Sequence, residues 1–85
     1  MKKYKADIIV TLKKGVRDPQ GAAVDTVLKR TGIQEIAQVQ TGKFFTLDVT
    51  GSDETNAKAK LDTICREVLS NPVLESYKVE RFVEL

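Results

Sequence analysis

The residues whose types and spacing suggest chemistry lie in one short run, Asp18-Pro19-Gln20-Gly21. Pro19 suits the first position of a helix, because it has no N–H group to lose and its φ is already helical. Asp18 can cap the free N–H groups of that helix and complements the positive end of its dipole. Gly21 weakens the first turn, so the run predicts a capped helix start where another group approaches the backbone closely. An ordinary strand-to-helix connection with a tolerated glycine is the alternative.

The side-chain inventory excludes most forms of self-sufficient catalysis. The chain contains no histidine, so imidazole acid–base catalysis and histidine metal ligands are unavailable. Its single cysteine, Cys65, cannot form an internal disulfide and falls at an apolar helical position, which predicts a buried packing thiol. Neither a phosphate-binding glycine loop nor a dinucleotide fingerprint occurs. The sequence therefore predicts no catalytic centre, no cofactor and no metal in this chain.

Length and composition predict a single small domain over residues 1–85. The chain is 41% hydrophobic and 31% charged, as is typical of globular proteins, and a core this small favours association with other chains. Its 14 basic and 12 acidic residues are interspersed, which indicates a solvated surface and no nucleic-acid footprint. The N-terminus lacks the apolar stretch of a signal peptide, and no apolar run is long enough to cross a bilayer, so we expect a cytoplasmic location.

Hydrophobic periodicity predicts the elements that must position this run. Alternating apolar residues predict a first strand over Tyr4–Leu12. A helix is expected from Pro19 to about Thr31, with Gly32 as its C-terminal stop. A second strand over Glu35–Thr41 is expected to end in a tight reversal at Gly42-Lys43. The side of the helix expected to pack on the core carries Ala23, Val24, Val27, Leu28 and Thr31.

The second half of the chain repeats this pattern. A third strand is predicted over Phe44–Thr50, and acidic residues in Gly51-Ser52-Asp53-Glu54 favour a helix start. Asn71-Pro72 ends that helix, because the residue before a proline avoids the α region. A final strand is expected over Tyr77–Val83. The apolar side of the second helix carries Ala57, Leu61, Ile64, Cys65, Val68 and Leu69, and Asp62 and Arg66 are expected to pair on its outside.

The order β-α-β-β-α-β predicts an α+β two-layer sandwich. Its sheet is expected to be four-stranded and mainly antiparallel, with both helices on one face. That arrangement leaves the other face uncovered, and a contiguous apolar patch there would mark an interface with another copy of the chain. Incidental exposure is the alternative. The residues that point to the open face by parity are Ile9, Ile36, Phe44 and Phe82.

The same element order serves several functions, so the fold alone does not select one. An RNA-recognition module needs exposed aromatic residues on its central strands, and the first strand offers none. A metal carrier needs paired soft ligands, which a lone cysteine does not supply. A homo-oligomeric module that senses a small molecule remains an alternative, because such modules bind effectors near the first strand-to-helix loop.

Three segments carry a more specific pattern, in order, along nearly the whole chain. They are Val10 to Val24, around Asp18-Pro19-Gln20-Gly21; Val39 to Lys43, which ends in a Gly-Lys turn; and Cys65 to Tyr77, which contains Asn71-Pro72-Val73. Together they resemble the PurS family, the small subunit of multi-subunit phosphoribosylformylglycinamidine synthase. Lys14 departs from the family pattern, since many relatives place a proline before the glycine.

The resemblance implies a part in de novo purine synthesis. The complex is an ATP-dependent carbon–nitrogen ligase that uses glutamine as amide donor and converts formylglycinamide ribonucleotide to formylglycinamidine ribonucleotide. In that family a large synthetase subunit uses ATP and magnesium, and a glutaminase subunit releases ammonia. The resemblance thus implies that this chain is noncatalytic, bridges these two partners and assists ammonia transfer. From the small core and the open sheet face we also expect a homo-oligomer, either a dimer or a tetramer.

The resemblance also implies a surface for contact with the large subunit. Glycines in this surface would let a partner approach the backbone, and the Gln20 side chain can both donate and accept hydrogen bonds. For Asp18, helix capping is a second role that is compatible with contact. The candidate residues are Lys13, Gly15, Arg17, Asp18, Gln20 and Gly21, with Gly42 and Lys43 as a second patch.

Overall fold

A computed structural model describes all 85 residues and contains one antiparallel sheet of three strands with two helices. The sheet order is β2-β1-β3, so the first strand lies at the centre. The helix α2 is continued by one wider, π-helical turn over Cys65–Leu69. The bounds of the elements are β1 Lys2–Leu12, α1 Pro19–Arg30, β2 Gly42–Gly51, α2 Glu54–Ile64 and β3 Glu75–Glu84.

The core lies between the sheet and α2. The alternating residues of β1 that face α2 are buried, as the sequence predicts. Cys65 is also fully buried, and burial raises the pKa of its thiol, so its expected packing role is confirmed. The core cluster consists of Tyr4, Ala6, Ile8 and Val10 from β1, Val49 from β2, and Ala57, Leu61 and Cys65 from the second helix.

The prediction of a four-stranded sheet is wrong, because the segment Glu35–Thr41 is not a strand of this sheet. Gly42 and Lys43 do not reverse the chain; they pair with Thr11 and Val10 as the first residues of β2. The preceding segment therefore runs on past the end of β1. No residue between positions 34 and 40 takes part in a backbone–backbone hydrogen bond.

The prediction that both helices cover one face of the sheet is also wrong. Only α2 packs on the sheet, whereas α1 lies beyond its end beside the segment that precedes β2. On the predicted packing side of α1, Val24 is 44% exposed and Val27 is 52% exposed. Gly32 does end α1 as predicted, since it takes a positive φ of 87°.

A β-bulge in β3 moves Phe82 to the core face. Ala6 pairs with Phe82 and Ile8 pairs with Val79, so β3 has one more residue than β1 between these pairs. Phe82 then stacks on Tyr4 with the ring centroids 5.0 Å apart. The parity argument that placed Phe82 on the open face assumed an uninterrupted strand, and it is wrong for this residue.

Two neighbouring substitutions test this bulge. Phe82→Ala is expected to lower the free energy of unfolding by about 2 kcal/mol, because the ring packs against the core from a partly buried position. Val83→Ala, on the opposite face, is expected to cost less than about 1 kcal/mol. Urea unfolding measures both values, and a larger loss for Val83→Ala would show that the bulge is absent.

Candidate functional site

Asp18 caps α1 and also fastens it to the beginning of β2. Its Oδ1 accepts hydrogen bonds from the Gly21 amide at 2.9 Å and from the Thr41 hydroxyl at 2.8 Å. Its Oδ2 accepts a hydrogen bond from the Thr41 amide at 2.7 Å. The predicted capping role is confirmed, and the carboxylate also joins two points 23 residues apart. We call the contact between Asp18 and Thr41 the clasp.

The clasp favours the ionised form of Asp18. The Gly21 amide, followed by the amide and the hydroxyl of Thr41, holds the pKa of this carboxyl below its ordinary value. The cause is that all these groups donate to the charged form and so stabilise it. At neutral pH the site therefore holds a carboxylate whose oxygens are already occupied within the chain.

Gly21 is buried by the chain itself. A Cβ atom at this position would lie 2.4 Å from the carbonyl oxygen of Val39 and 2.9 Å from Oδ2 of Asp18. The close approach expected from the sequence therefore exists, and the approaching group is the segment that precedes β2. This contact explains the glycine without a second protein, and it leaves no bare backbone for a partner at Gly21.

The other two candidate glycines differ from each other. A Cβ atom at Gly42 would lie 2.7 Å from the carbonyl oxygen of Val10, so the pairing of β1 with β2 explains this glycine. Gly15 takes a φ of 86°, and a Cβ atom there would meet nothing within 4 Å. Gly15 is therefore the candidate glycine whose surface stays open to another molecule.

Both candidate lysines already form contacts within the chain, with the residues that lead into β3 or begin it. The Lys13 amide donates to the Leu74 carbonyl at 2.8 Å, and its Nζ donates to the Pro72 carbonyl at 2.6 Å. Lys43 Nζ forms an ion pair with Glu75 Oε2 at 3.5 Å. These contacts give the two lysines a structural role at the start of β3.

Arg17 and Gln20 are the candidate residues with free side chains. Both are exposed, and neither side chain forms a hydrogen bond or an ion pair within the chain. They flank Asp18, whose hydrogen bonds fix the backbone between them. The structure thus combines two unoccupied polar side chains with a rigid base, which is an arrangement suited to docking another molecule.

Two clefts lie on either side of the clasp. One, of about 540 Å³, lies between the β1–α1 connection and the residues Gln38, Gln40 and Thr41. The other, of about 180 Å³, lies between Pro19, Gln20, Lys43 and Glu75. Both are lined by polar and apolar groups together, and the chain contains no group of three or more His, Cys, Asp or Glu side chains able to hold a metal.

The four residues expected to mediate self-association do not form one patch. Ile9 and Phe44 are paired neighbours on the open face of the sheet, where Phe44 is 61% exposed. Ile36 lies in the segment before β2, and Phe82 lies on the core face. Self-association through the open face therefore remains a prediction that rests on Ile9 and Phe44.

Sequence reasoning missed Thr41 and Val39 as partners of the Asp18–Gly21 run. No local pattern indicates these contacts, because the two stretches meet only after the chain has left α1 and run back beside it. Gly21 itself was the available signal, since it indicates that some group comes close. No helix in the structure combines the length and apolar character needed to span a membrane.

Comparison with known proteins identifies relatives over nearly the full length. Residues 5–82 match the family model PurS, described as phosphoribosylformylglycinamidine (FGAM) synthase. The phosphoribosylformylglycinamidine synthase subunit PurS of Synechocystis is 40% identical over 77 residues, which cover 91% of this chain and 77% of that protein.

Solved structures show the same fold. PurS from Thermus thermophilus superposes with a TM-score of 0.80 at 36% identity, covering 98% of both chains. A chain in the structure of PurLQS from Thermotoga maritima superposes with a TM-score of 0.81 at 30% identity, covering 100% of both chains. The agreement over whole chains indicates that the extended position of α1 is compatible with the fold of these relatives.

Proposed function

This chain belongs to the PurS family of phosphoribosylformylglycinamidine synthase subunits, and we propose that it bridges the glutaminase and synthetase subunits of that enzyme in the cytoplasm. Family membership makes it a subunit of the purine-biosynthetic ligase, and this decides against the small-molecule-sensing alternative. In the proposed division of labour, the large subunit uses ATP and magnesium, and this chain supplies no catalytic group.

The observation that carries the bridging role is the exposed pair Arg17 and Gln20 on a fixed backbone. A docking residue contributes most when its backbone is ordered before binding, because less conformational entropy is then lost. The Asp18 carboxylate orders this stretch, because it accepts hydrogen bonds from the first turn of α1 and from Thr41 at the end of the following segment. Arg17 offers a guanidinium for a carboxylate of the partner, and Gln20 offers both a donor and an acceptor.

The proposed contribution to the reaction is geometric. Glutamine hydrolysis yields glutamate and ammonia, and the synthetase then adds that ammonia to its substrate while ATP is cleaved to ADP and phosphate. Ammonia that reaches bulk water at neutral pH is protonated and stops being a nucleophile. A subunit that fixes the glutaminase against the synthetase keeps the transfer route closed to water.

The experiment is a reconstituted enzyme assayed with glutamine and, separately, with ammonium salt. The double substitution Arg17→Ala plus Gln20→Ala is expected to lower the glutamine-dependent rate by about tenfold, equivalent to about 1.4 kcal/mol. The ammonium-dependent rate is expected to fall much less, because the synthetase chemistry is untouched.

A matched control uses the same residue types elsewhere on the chain. Arg30→Ala plus Gln34→Ala removes an exposed arginine at the end of α1 and an exposed glutamine four residues after it, and is expected to keep the glutamine-dependent rate. Full activity of the Arg17 and Gln20 variant, with normal assembly, would exclude this docking surface. Full glutamine-dependent activity of an enzyme assembled without this chain would overturn the bridging function itself.

A further inference from the structure

The β1–α1 connection, residues 13–18, is fastened to the rest of the chain at both of its ends. At the α1 end, Asp18 forms the clasp. At the β1 end, the amide and the ammonium group of Lys13 both donate hydrogen bonds to the turn that precedes β3. Between these points the connection forms one backbone hydrogen bond, from the Val16 amide to the Lys13 carbonyl at 3.1 Å. The docking residue Arg17 therefore depends on both fastenings for its position.

The turn that precedes β3 is shaped by Asn71. Its Oδ1 accepts a hydrogen bond from the Val73 amide at 3.0 Å, and its carbonyl accepts one from the Leu74 amide at 3.0 Å. Pro72 has no amide to donate, and its ring fixes φ. The carbonyl groups of Pro72 and Leu74 thus remain available, and both accept from Lys13. The Asn-Pro-Val run of the sequence therefore supplies the acceptors that fasten the β1 end of the connection.

The hydrogen bond of the Lys13 ammonium group is separate from the pairing of the strands. The last pair of β1 with β3 joins Leu12 to Glu75, and the Lys13 amide continues that pairing by one residue. The ammonium group reaches beyond it to the Pro72 carbonyl at 2.6 Å, from an exposed residue outside the core cluster. Loss of this one hydrogen bond is therefore expected to loosen the connection without changing the fold.

We propose that Lys13 is a positioning residue for the docking of this chain in the synthase complex. Its ammonium group holds the β1–α1 connection against the turn at Pro72 and so fixes where Arg17 meets the partner. A short stretch held at both ends has fewer conformations than one held at a single end, so less conformational entropy is lost on docking. The inference rests on the proposed docking role of Arg17 and Gln20, and it gives Lys13 no contact with the partner.

Lys13→Met removes the ammonium group and keeps a flexible apolar stem. The measurement is the concentration of this chain that gives half of the maximal glutamine-dependent rate of the reconstituted enzyme. Loss of one such hydrogen bond is expected to raise that concentration about fivefold, whereas the rate at saturating concentration stays the same because the docked complex is unchanged. Lys13→Arg keeps a cationic donor and is expected to restore the value to within about twofold. An unchanged half-saturating concentration for Lys13→Met would overturn the proposal.

A double substitution with Arg17→Ala separates positioning from direct contact. If Lys13 acts through Arg17, Lys13→Met is expected to weaken docking of the Arg17→Ala protein by less than about twofold, because effects within one unit are not additive. Two full effects that multiply would show that Lys13 acts independently of Arg17, and the proposal would be wrong.

The outcomes also separate this proposal from the docking surface on which it rests. Weakened docking by Arg17→Ala together with an unaffected Lys13→Met protein would reject the positioning role and leave the docking surface in place. Unaffected docking by Arg17→Ala plus Gln20→Ala would reject the surface, and the positioning role with it.

Lys60 provides the matched control at another place in the fold. Its Nζ donates to the Thr50 carbonyl at 3.3 Å, so it also joins two elements by a hydrogen bond from an ammonium group. Lys60→Met is expected to leave the half-saturating concentration unchanged. An increase as large as that of Lys13→Met would show that docking does not depend on the β1–α1 connection in particular, and would overturn the proposal.

Amide hydrogen exchange on the free chain tests the fastening without the other subunits. The Val16 amide donates to the Lys13 carbonyl, so its protection reports the order of the connection. We expect this amide to exchange at least about twofold faster in Lys13→Met than in the natural chain or in Lys60→Met. Equal exchange in all three proteins would show that the ammonium group does not order the connection, and the proposal would fail whatever the enzyme assay shows.

Discussion

Gly21→Val is expected to lower the free energy of unfolding by at least about 3 kcal/mol and to displace the segment that precedes β2 from α1. Overpacking of a filled site costs about 1–3 kcal/mol when flexible side chains can yield. Here the nearest atom is the Val39 carbonyl oxygen, only 2.4 Å from the position of the new Cβ. A backbone atom yields only if the whole segment moves, so we expect a cost at or above the top of that range.

For the smaller substitution Gly21→Ala, the expected change in the free energy of unfolding is opposite in sign to the change that alanine usually causes in a helix. In an exposed helix interior alanine is more stable than glycine by about 1 kcal/mol, yet at this position alanine is expected to destabilise the protein. Ala22→Val is the matched control, since its side chain is exposed on the same turn and is expected to cost less than about 1 kcal/mol. Urea unfolding measures all three variants, and a stabilised Gly21→Ala protein would show that Val39 does not lie against this helix.

Asp18→Asn is expected to keep the helix cap and to weaken the clasp. Asparagine is as good an N-cap as aspartate, so its oxygen can still accept from the Gly21 amide. Its NH₂ group would face the Thr41 amide, which is also a donor, and that hydrogen bond is lost. We therefore expect the melting temperature to fall by several degrees with the helix content retained.

The charge of Asp18 also makes the clasp sensitive to acid. Hydrogen bonds from Gly21 and Thr41 hold the pKa of this carboxyl below its ordinary value in the folded protein. The stability it contributes is therefore complete above the ordinary value and is lost as the pH falls through the lowered one. The difference in melting temperature between the natural chain and Asp18→Asn is expected to be constant near neutral pH and to shrink below about pH 4.

Asp53→Asn is the control for both effects. Asp53 caps α2 by accepting from the Asn56 amide at 2.8 Å, and its side chain makes no second contact. Replacement by asparagine is therefore expected to leave the melting temperature nearly unchanged. If Asp18→Asn behaves like Asp53→Asn at every pH, the hydrogen bonds to Thr41 do not stabilise the protein.

Local patterns predicted those parts of the fold that depend on neighbouring residues. The alternation in β1, the Asp18 cap and the stop at Gly32 each rest on a periodicity or on a backbone preference within a few positions. The ion pair of Asp62 with Arg66, at 2.8 Å on the outside of α2, belongs to the same class. These predictions are confirmed because no distant contact competes with them.

The candidate site was predictable only in part. Asp18-Pro19-Gln20-Gly21 indicated a capped helix and a close approach, and both are present. The identity of the approaching group was not predictable, because Val39 and Thr41 reach Asp18 and Gly21 only through the fold. The same contacts removed Gly21 from the surface available to a partner and left Arg17 and Gln20 on it.

By itself the sequence determined the strands and helices that have strong local patterns. It also showed that the residue types and motifs for most kinds of catalysis are missing, and three spaced segments carried the resemblance to PurS. The tertiary structure alone decided whether Gly42-Lys43 reverses the chain, whether β3 contains a bulge and where α1 lies. Alternation in Glu35–Thr41 predicted a strand, but a strand also needs a partner edge, and continuous pairing of β2 with β1 from Gly42 onward keeps the segment away from one. The physical reason is that side-chain periodicity is a property of a segment, whereas strand pairing is a property of two segments whose meeting depends on the path of the chain between them.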